Sequence, residues 1–231
     1  MAILTLPVRD VFAATPRATI VRLDLGGVEF PYEPGQAVMI AAHGDPRRRP
    51  YSISSAPEDA RRDRSLELLV GTDASDPGSQ FVPIVNGLVD VEGPLGTFTF
   101  PRRPDERRFL FIAGGTGVAP LRAMLRHALT IPHDGIGFFY SARTPDDFAY
   151  ADEIRALADA GRIELRQTIT RTTPAEWTGG RGRLTRAVLE ELVHDPATLC
   201  FVCGPPALVE EVPRLLEAIG IARTRIRTEE Q

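Results

Sequence analysis

Between Ala113 and Pro120 the sequence reads A-G-G-T-G-V-A-P, with the apolar run FLFIAGG leading into it and a helical pattern behind it. Glycines at such a junction let the main chain approach a phosphate, and the helix that follows offers free N–H groups and a partial positive charge. Glycines also close strand–helix turns for packing alone, and the spacing here is not G-x-G-x-x-G. A second group is Arg49-Pro50-Tyr51-Ser52, at the head of a β-rich run. An arginine can clamp a phosphate, an aromatic ring can lie on a flat heterocycle, and a hydroxyl can hydrogen-bond its edge. The two cysteines, Cys200 and Cys203, are spaced C-x-x-C, the pattern of a redox dithiol or half a zinc site. The segment around them, TLCFVCG, reads as a buried strand. Positions three apart on a strand face opposite sides, which favours two unrelated buried thiols. The four histidines show no metal-ligand spacing, so no metal is expected.

These residues need elements to hold them, and the chain changes character midway. Up to Phe100, short β-rich stretches alternate with turn signals: ATIVRLDL, QAVMIAA, PYSISS, SLELLVGT, LVDVEG and TFTF, punctuated by Gly, Pro and Asp. That pattern predicts an antiparallel barrel or sandwich, with one short helix over SQFVPIV. PRRPDERR reads as a linker. Beyond it, FLFIAGG, GIGFFYSA, RIELRQTIT and TLCFVCG read as strands and VAPLRAMLRHAL, AYADEIRALADAG, TRAVLEELV and ALVEEVPRLLEAIG as helices. Such alternation predicts a parallel sheet covered on both faces. A length of 231 residues suits two domains of this kind.

All 27 basic residues are arginine, which excludes Schiff-base chemistry, a lysine general base and the lysine-bearing phosphate loop. A formal charge of -4 disfavours nucleic acid as a partner. No apolar run approaches the roughly 20 residues that cross a bilayer, and the start, MAILTLPVRDVFAATPRA, has no basic leader. Both features predict a cytoplasmic protein that does not engage a membrane.

R-P-Y-S, Gly78-Ser79-Gln80, E-G-P-L-G-T-F from Glu92 to Phe98, G-G-T-G-V-A-P and C-G-P-P from Cys203 to Pro206 stand in one order. That order resembles the ferredoxin-NADP reductase family, particularly bacterial oxygenase reductases and flavodoxin reductases, over nearly the whole chain. The resemblance implies a Greek-key antiparallel β-barrel binding FAD over residues 1–103 and an α/β domain binding NAD(P) over 104–231. Arg49, with Pro50, would bind the FAD pyrophosphate, Tyr51 would pack on the isoalloxazine and Ser52 would hydrogen-bond near flavin N5. The main chain at Leu69 and Val70 and the Gly78-Ser79-Gln80 turn would hold the rest of FAD. Thr116 would lie between flavin and nicotinamide, with Gly114, Gly115 and Gly117 giving the dinucleotide room. Cys203, with Gly204 and Pro205 after it, would lie beside the nicotinamide. Ser52, Cys203 and Glu229 would form the catalytic set.

Ser141 and Arg143 close the second α/β strand, where an adenosine ribose rests. An arginine there can grip a 2′-phosphate and no acid claims a bare ribose diol. This favours NADPH over NADH, with Arg171 and Arg183 as further phosphate candidates; an arginine stacked on adenine or facing solvent is the alternative. The implied activity is hydride transfer from NAD(P)H to flavin, then one-electron delivery to a separate ferredoxin, flavodoxin or oxygenase component. Arg47-Arg48-Arg49 and Arg61-Arg62 read either as docking sites for such a partner or as solvated loops. The sequence departs from the family in three places. Gln231 falls where many members carry an aromatic ring over the flavin. Gly71 stands where a lysine is common. No iron–sulfur domain is fused in the sequence. Competing readings are a regulatory flavin subunit with little turnover, a dehydrogenase with its own organic substrate, and an oligonucleotide-binding barrel.

Overall fold

The computed structural model describes residues 3–71, 81–171 and 174–231. Its first half is a six-stranded antiparallel sheet. The strands are β1 (Ile3–Thr15), β2 (Ala18–Asp24), β3 (Ala37–Ala42), β4 (Arg49–Ser52), β5 (Ser65–Gly71) and β6 (Leu88–Leu95), in the order β4-β3-β6-β1-β2-β5. Ile53, just past β4, bridges Leu68 of β5, so the two edges of the sheet meet and it closes like a barrel. The alternation in β2, with Val21 and Leu23 fully buried and Arg22 between them facing out, sends one face into a core with Val38, Ile40 and Leu68.

The second half is a parallel sheet with helices on both faces. The chain runs β7 (Arg108–Gly114), α2 (Val118–Ala128), β8 (Gly135–Ala142), α3 (Ala151–Asp159), β9 (Glu164–Ile169), β10 (Gly180–Arg181), α4 (Arg186–Leu192), β11 (Leu199–Gly204), α5 (Pro206–Ala218) and β12 (Ile226–Glu230); α1 (Pro57–Asp63) belongs to the barrel half. The order β10-β9-β8-β7-β11-β12 places β8 on one side of β7 and β11 on the other. The crevice beyond the carboxyl ends of β7 and β11 is therefore a topological switch point, where open α/β sheets bind ligands. Strand β7 from Phe109 onward and all of β11 are buried because both faces are covered, by α2 and α3 on one side and α4 and α5 on the other.

The expected fold class holds, and several element boundaries differ from the sequence reading. TFTF is not a strand: Phe98 and Phe100 instead bury themselves against Phe201, Phe109 and Phe111 of the parallel sheet. Residues 81–85 of the expected SQFVPIV helix are irregular, with Val82 and Ile84 exposed. The segment APED, which punctuates the sequence between PYSISS and SLELLVGT and reads as a turn signal, instead opens α1, with Pro57 at the first position and Glu58 and Asp59 in the first turn, where they suit the helix dipole. The barrel sheet also gains β1, and the parallel sheet β10 and β12, which the sequence reading did not assign.

Candidate active site

Arg49-Pro50-Tyr51-Ser52 constitute β4, paired to β3 through Ser52 with Ala37 and Tyr51 with Val38. The Tyr51 ring is half-buried, 6.2 Å from that of Phe81, and burial raises its phenol pKa. Among the described residues no carboxylate pairs with Arg49, which leaves its guanidinium available to an anion. Leu69 and Val70 are buried on β5, Leu69 toward the parallel sheet and Val70 toward the barrel core. Gly78, Ser79 and Gln80 lie outside the described residues.

Across the crevice, the turns after β7 and β11 touch main chain to main chain. A Cβ on Gly117 would run into the Cys203 carbonyl, one on Gly204 would come 2.9 Å from the Gly114 Cα, and one on Gly114 would meet Pro205 Cδ at 2.8 Å. Gly115 differs: its φ is +56° and a Cβ there would meet nothing within 4 Å, so room for a ligand exists at this glycine. The Tyr140 hydroxyl, buried under the turn, donates to the Gly115 carbonyl at 3.2 Å and accepts from Ala149 N at 3.1 Å. Thr116 faces the barrel, where a Cβ on Gly71 would lie 3.3 Å from its methyl group. The glycine in place of a lysine thus makes space for Thr116. Tyr140 was not singled out from sequence.

Cys200 and Cys203 point into different cores, Cys200 with Leu110 and Ile112 and Cys203 with Phe111 and Phe138. Burial pushes the Cys200 thiol up to about 12 and the Cys203 thiol higher still, with Glu229 adding to the latter. Both stay protonated at neutral pH, which rules out a reactive dithiol. Glu229 pairs in register with Cys203 on the adjacent β12, and burial pushes its carboxyl up to about 7. It lines a cleft of about 360 Å³ with Thr97, Phe98, Arg227 and Thr228. Gln231, two residues past Glu229, spans the crevice: its Nε2 donates to Ser52 Oγ at 2.7 Å and its main-chain N donates to the Gly204 carbonyl at 3.0 Å. Ser52 of the barrel and Glu229 and Cys203 of the parallel sheet are thereby brought to one place.

Ser141 and Arg143 stand at the end of β8, Arg171 just beyond β9 and Arg183 beyond β10, all three arginines exposed. Arg171 N donates to the Arg143 carbonyl at 3.0 Å, which fixes the two strand ends together. Among the described residues, no helix is long and apolar enough to cross a membrane.

A barrel whose edge strand carries an arginine, an aromatic and a hydroxyl, facing a parallel sheet with a glycine turn at its switch point, defines a two-domain flavin- and nicotinamide-dependent oxidoreductase. Residues 111–214 match the family model described as an oxidoreductase NAD-binding domain. The chain is 34% identical over 217 residues to ferredoxin–NADP reductase B of Sorangium cellulosum, spanning 88% of this chain and 86% of that one. It is 27% identical over 241 residues to the reductase component of propane 2-monooxygenase of Mycolicibacterium smegmatis, covering 96% of this chain and 67% of the relative. A cytochrome P450 reductase of Amycolatopsis superposes with a TM-score of 0.86 at 25% identity, covering 99% of this chain and 69% of that one. The chain belongs to the ferredoxin-NADP reductase family, and it is a reductase that moves electrons from a nicotinamide cofactor through a flavin.

Proposed function

We propose that the flavin is FAD, that NADPH is the preferred electron donor over NADH, and that electrons leave one at a time to a separate ferredoxin, flavodoxin or oxygenase component. The division of labour falls near residue 103, with FAD on the barrel side and NADPH on the other. When bound, the flavin takes the hydride from nicotinamide C4 at N5 and passes its two electrons on singly, chemistry that resides in the cofactors.

The observation that carries this reading is that Gln231 ties Ser52 of the barrel to the Gly204 carbonyl next to Cys203, itself in register with Glu229, at the switch point. Arg49 and the main chain at Pro50 bind the pyrophosphate, Tyr51 packs on the ring system, and Leu69, Val70 and the Gly78-Ser79-Gln80 segment hold the remainder of FAD. Ser52 supplies a hydroxyl at the ring edge. Thr116 lies where the flavin and nicotinamide sites meet, and Gly115 admits the dinucleotide beside Gly114, Gly117, Gly204 and Pro205. The protonated Cys203 fills space beside the nicotinamide without competing as a nucleophile. Glu229, its carboxyl pushed up to about 7 by burial, is partly protonated near neutral pH and in that form can donate as well as accept a hydrogen bond.

The preference for NADPH rests on Arg143, Arg171 and Arg183 at neighbouring strand ends and on Ser141 beside them. Asp147, further along the chain, is tied to Arg17 and Thr144 and does not offer itself to a ribose diol. The test is oxidation of NADPH and NADH with ferricyanide as a one-electron acceptor. NADPH should give the higher kcat/KM. Arg143→Ala should erode the difference through KM, by roughly 5-fold to 150-fold for a contact of about 1 to 3 kcal/mol. Equal use of both nucleotides by the unaltered protein would refute the NADPH assignment.

A further inference from the structure

Outside the crevice, the most elaborate polar construction in the molecule lies buried where the two halves meet. Arg122, one turn into α2, is 8% exposed, an unusual burial for a charge. Its NH1 donates to the Ser54 carbonyl and to Glu67 Oε1 of β5, each at 2.8 Å, and its Nε and NH2 reach Glu153 Oε2 of α3 at 2.8 Å. The guanidinium lies 4.2 Å over the Tyr150 ring, and the Tyr150 hydroxyl donates to Ser54 Oγ at 2.9 Å. Tyr150 holds a left-handed φ of 58° to do so, a conformation that costs a non-glycine residue free energy.

Replacing such a buried set with apolar side chains commonly costs a protein nothing, so adhesion alone does not account for it. What directed, charge-assisted bonds supply instead is a fixed geometry. Both ends of this set adjoin the candidate site. Ser54 lies two residues past Ser52 on the same segment, and Arg122 lies on the helix that Gly117 introduces, behind Thr116. We propose that Arg122 and Tyr150 are positioning residues for hydride transfer, setting the separation between the Ser52 strand and the Gly115–Gly117 turn and hence between the two rings each would hold. This rests on the functional reading above. Transfer rates depend steeply on the separation of reacting atoms, so a loosened spacing slows the transfer step before it weakens either binding site.

The test is anaerobic stopped-flow reduction of the FAD-loaded protein by NADPH and by NADPH deuterated at the transferred position. Tyr150→Phe keeps the ring beneath the guanidinium and removes only the bond to Ser54. Arg122→Lys keeps the charge and loses the fork. Tyr150→Phe, the variant least disturbing to folding, should lower the limiting reduction rate about tenfold and raise the deuterium isotope effect, with FAD content and NADPH affinity unchanged. Arg122→Lys should change the rate in the same direction and further. A fall in Tm with rate and isotope effect intact would overturn the proposal and leave a structural staple. Loss of FAD or of NADPH affinity in step with the rate would also overturn it, since the pockets rather than their spacing would have changed. If NADPH fails to reduce the unaltered protein, the functional reading itself falls.

Discussion

At Glu229 burial outweighs the hydrogen bond from Gln231 and lifts the carboxyl from 4.5 to about 7. A folded state that holds this proton more tightly than the unfolded chain is favoured at low pH. Stability from this group is therefore lost as pH rises from about 4.5 to about 7 and is level above that. Glu229→Gln removes the ionisation while keeping the shape. The variant's Tm should match the parent near pH 4.5 and exceed it by about 2 °C or more at pH 8, measured by circular dichroism across that range. An identical pH profile in both proteins would show that the carboxyl ionises freely. Gln231, which joins Ser52 to the Gly204 carbonyl, carries a second prediction. A polar side chain held by hydrogen bonds yields the flavin face more readily than a stacked ring. The parent should accordingly give a visible charge-transfer band on mixing with NADPH and oxidise it with oxygen alone. Gln231→Tyr should diminish both; if band and oxidase rate are unchanged, the side chain does not lie over the flavin.

Among the elements, the glycine turn after β7 divides its residues between packing and ligand. Gly117 is pressed against the Cys203 carbonyl, whereas Gly115 faces open space at a positive φ. Gly117→Ala should cost about 1 to 3 kcal/mol of stability by forcing the two turns apart. Gly115→Ala should cost about 1 kcal/mol from its backbone conformation and fall more heavily on NADPH affinity. Denaturant midpoints alongside NADPH binding separate the two; equal loss of stability at both positions would contradict the division. The turn itself was legible because β7 and β11 are unbroken apolar runs and glycine clusters are conspicuous between them. The strand β12 was not, since I-R-T-E-E lies at a sheet edge and its charged residues carry no buried-strand pattern. Nor was β1, a long half-exposed strand with Pro7, Arg9 and Asp10 interrupting its alternation. The helix α1 carries a readable signal in Pro57-Glu58-Asp59, but over Pro57–Asp63 it is too short to show a helical period, and the same residues suit a turn. The Arg122 set was invisible because Glu67 and Glu153 lie 55 and 31 residues away in sequence; an arginine inside the apolar face of VAPLRAMLRHAL was its one trace.

Across the whole molecule the two halves share a hydrophobic core as well as the Arg122 set. Ala18, Leu69, Phe98 and Phe100 from the barrel side pack with Phe111 and Phe201 of the parallel sheet and Val118 of α2. Arg227 of β12 adds a 2.7 Å bond to the Thr99 carbonyl, fastening the strand that carries Glu229 to the segment leaving the barrel. The crevice is thus held between two braced units, as a site that must keep two ring systems in register requires. The claim on which everything else depends is that this crevice holds FAD and receives hydride there. Anaerobic titration of the purified protein, loaded with FAD and followed by its absorption spectrum, tests it most directly. About one FAD per chain should be released on denaturation, and about one equivalent of NADPH should bleach the bound flavin. A protein that takes up no FAD, or whose bound FAD stays oxidised under excess NADPH and NADH alike, would contradict the account.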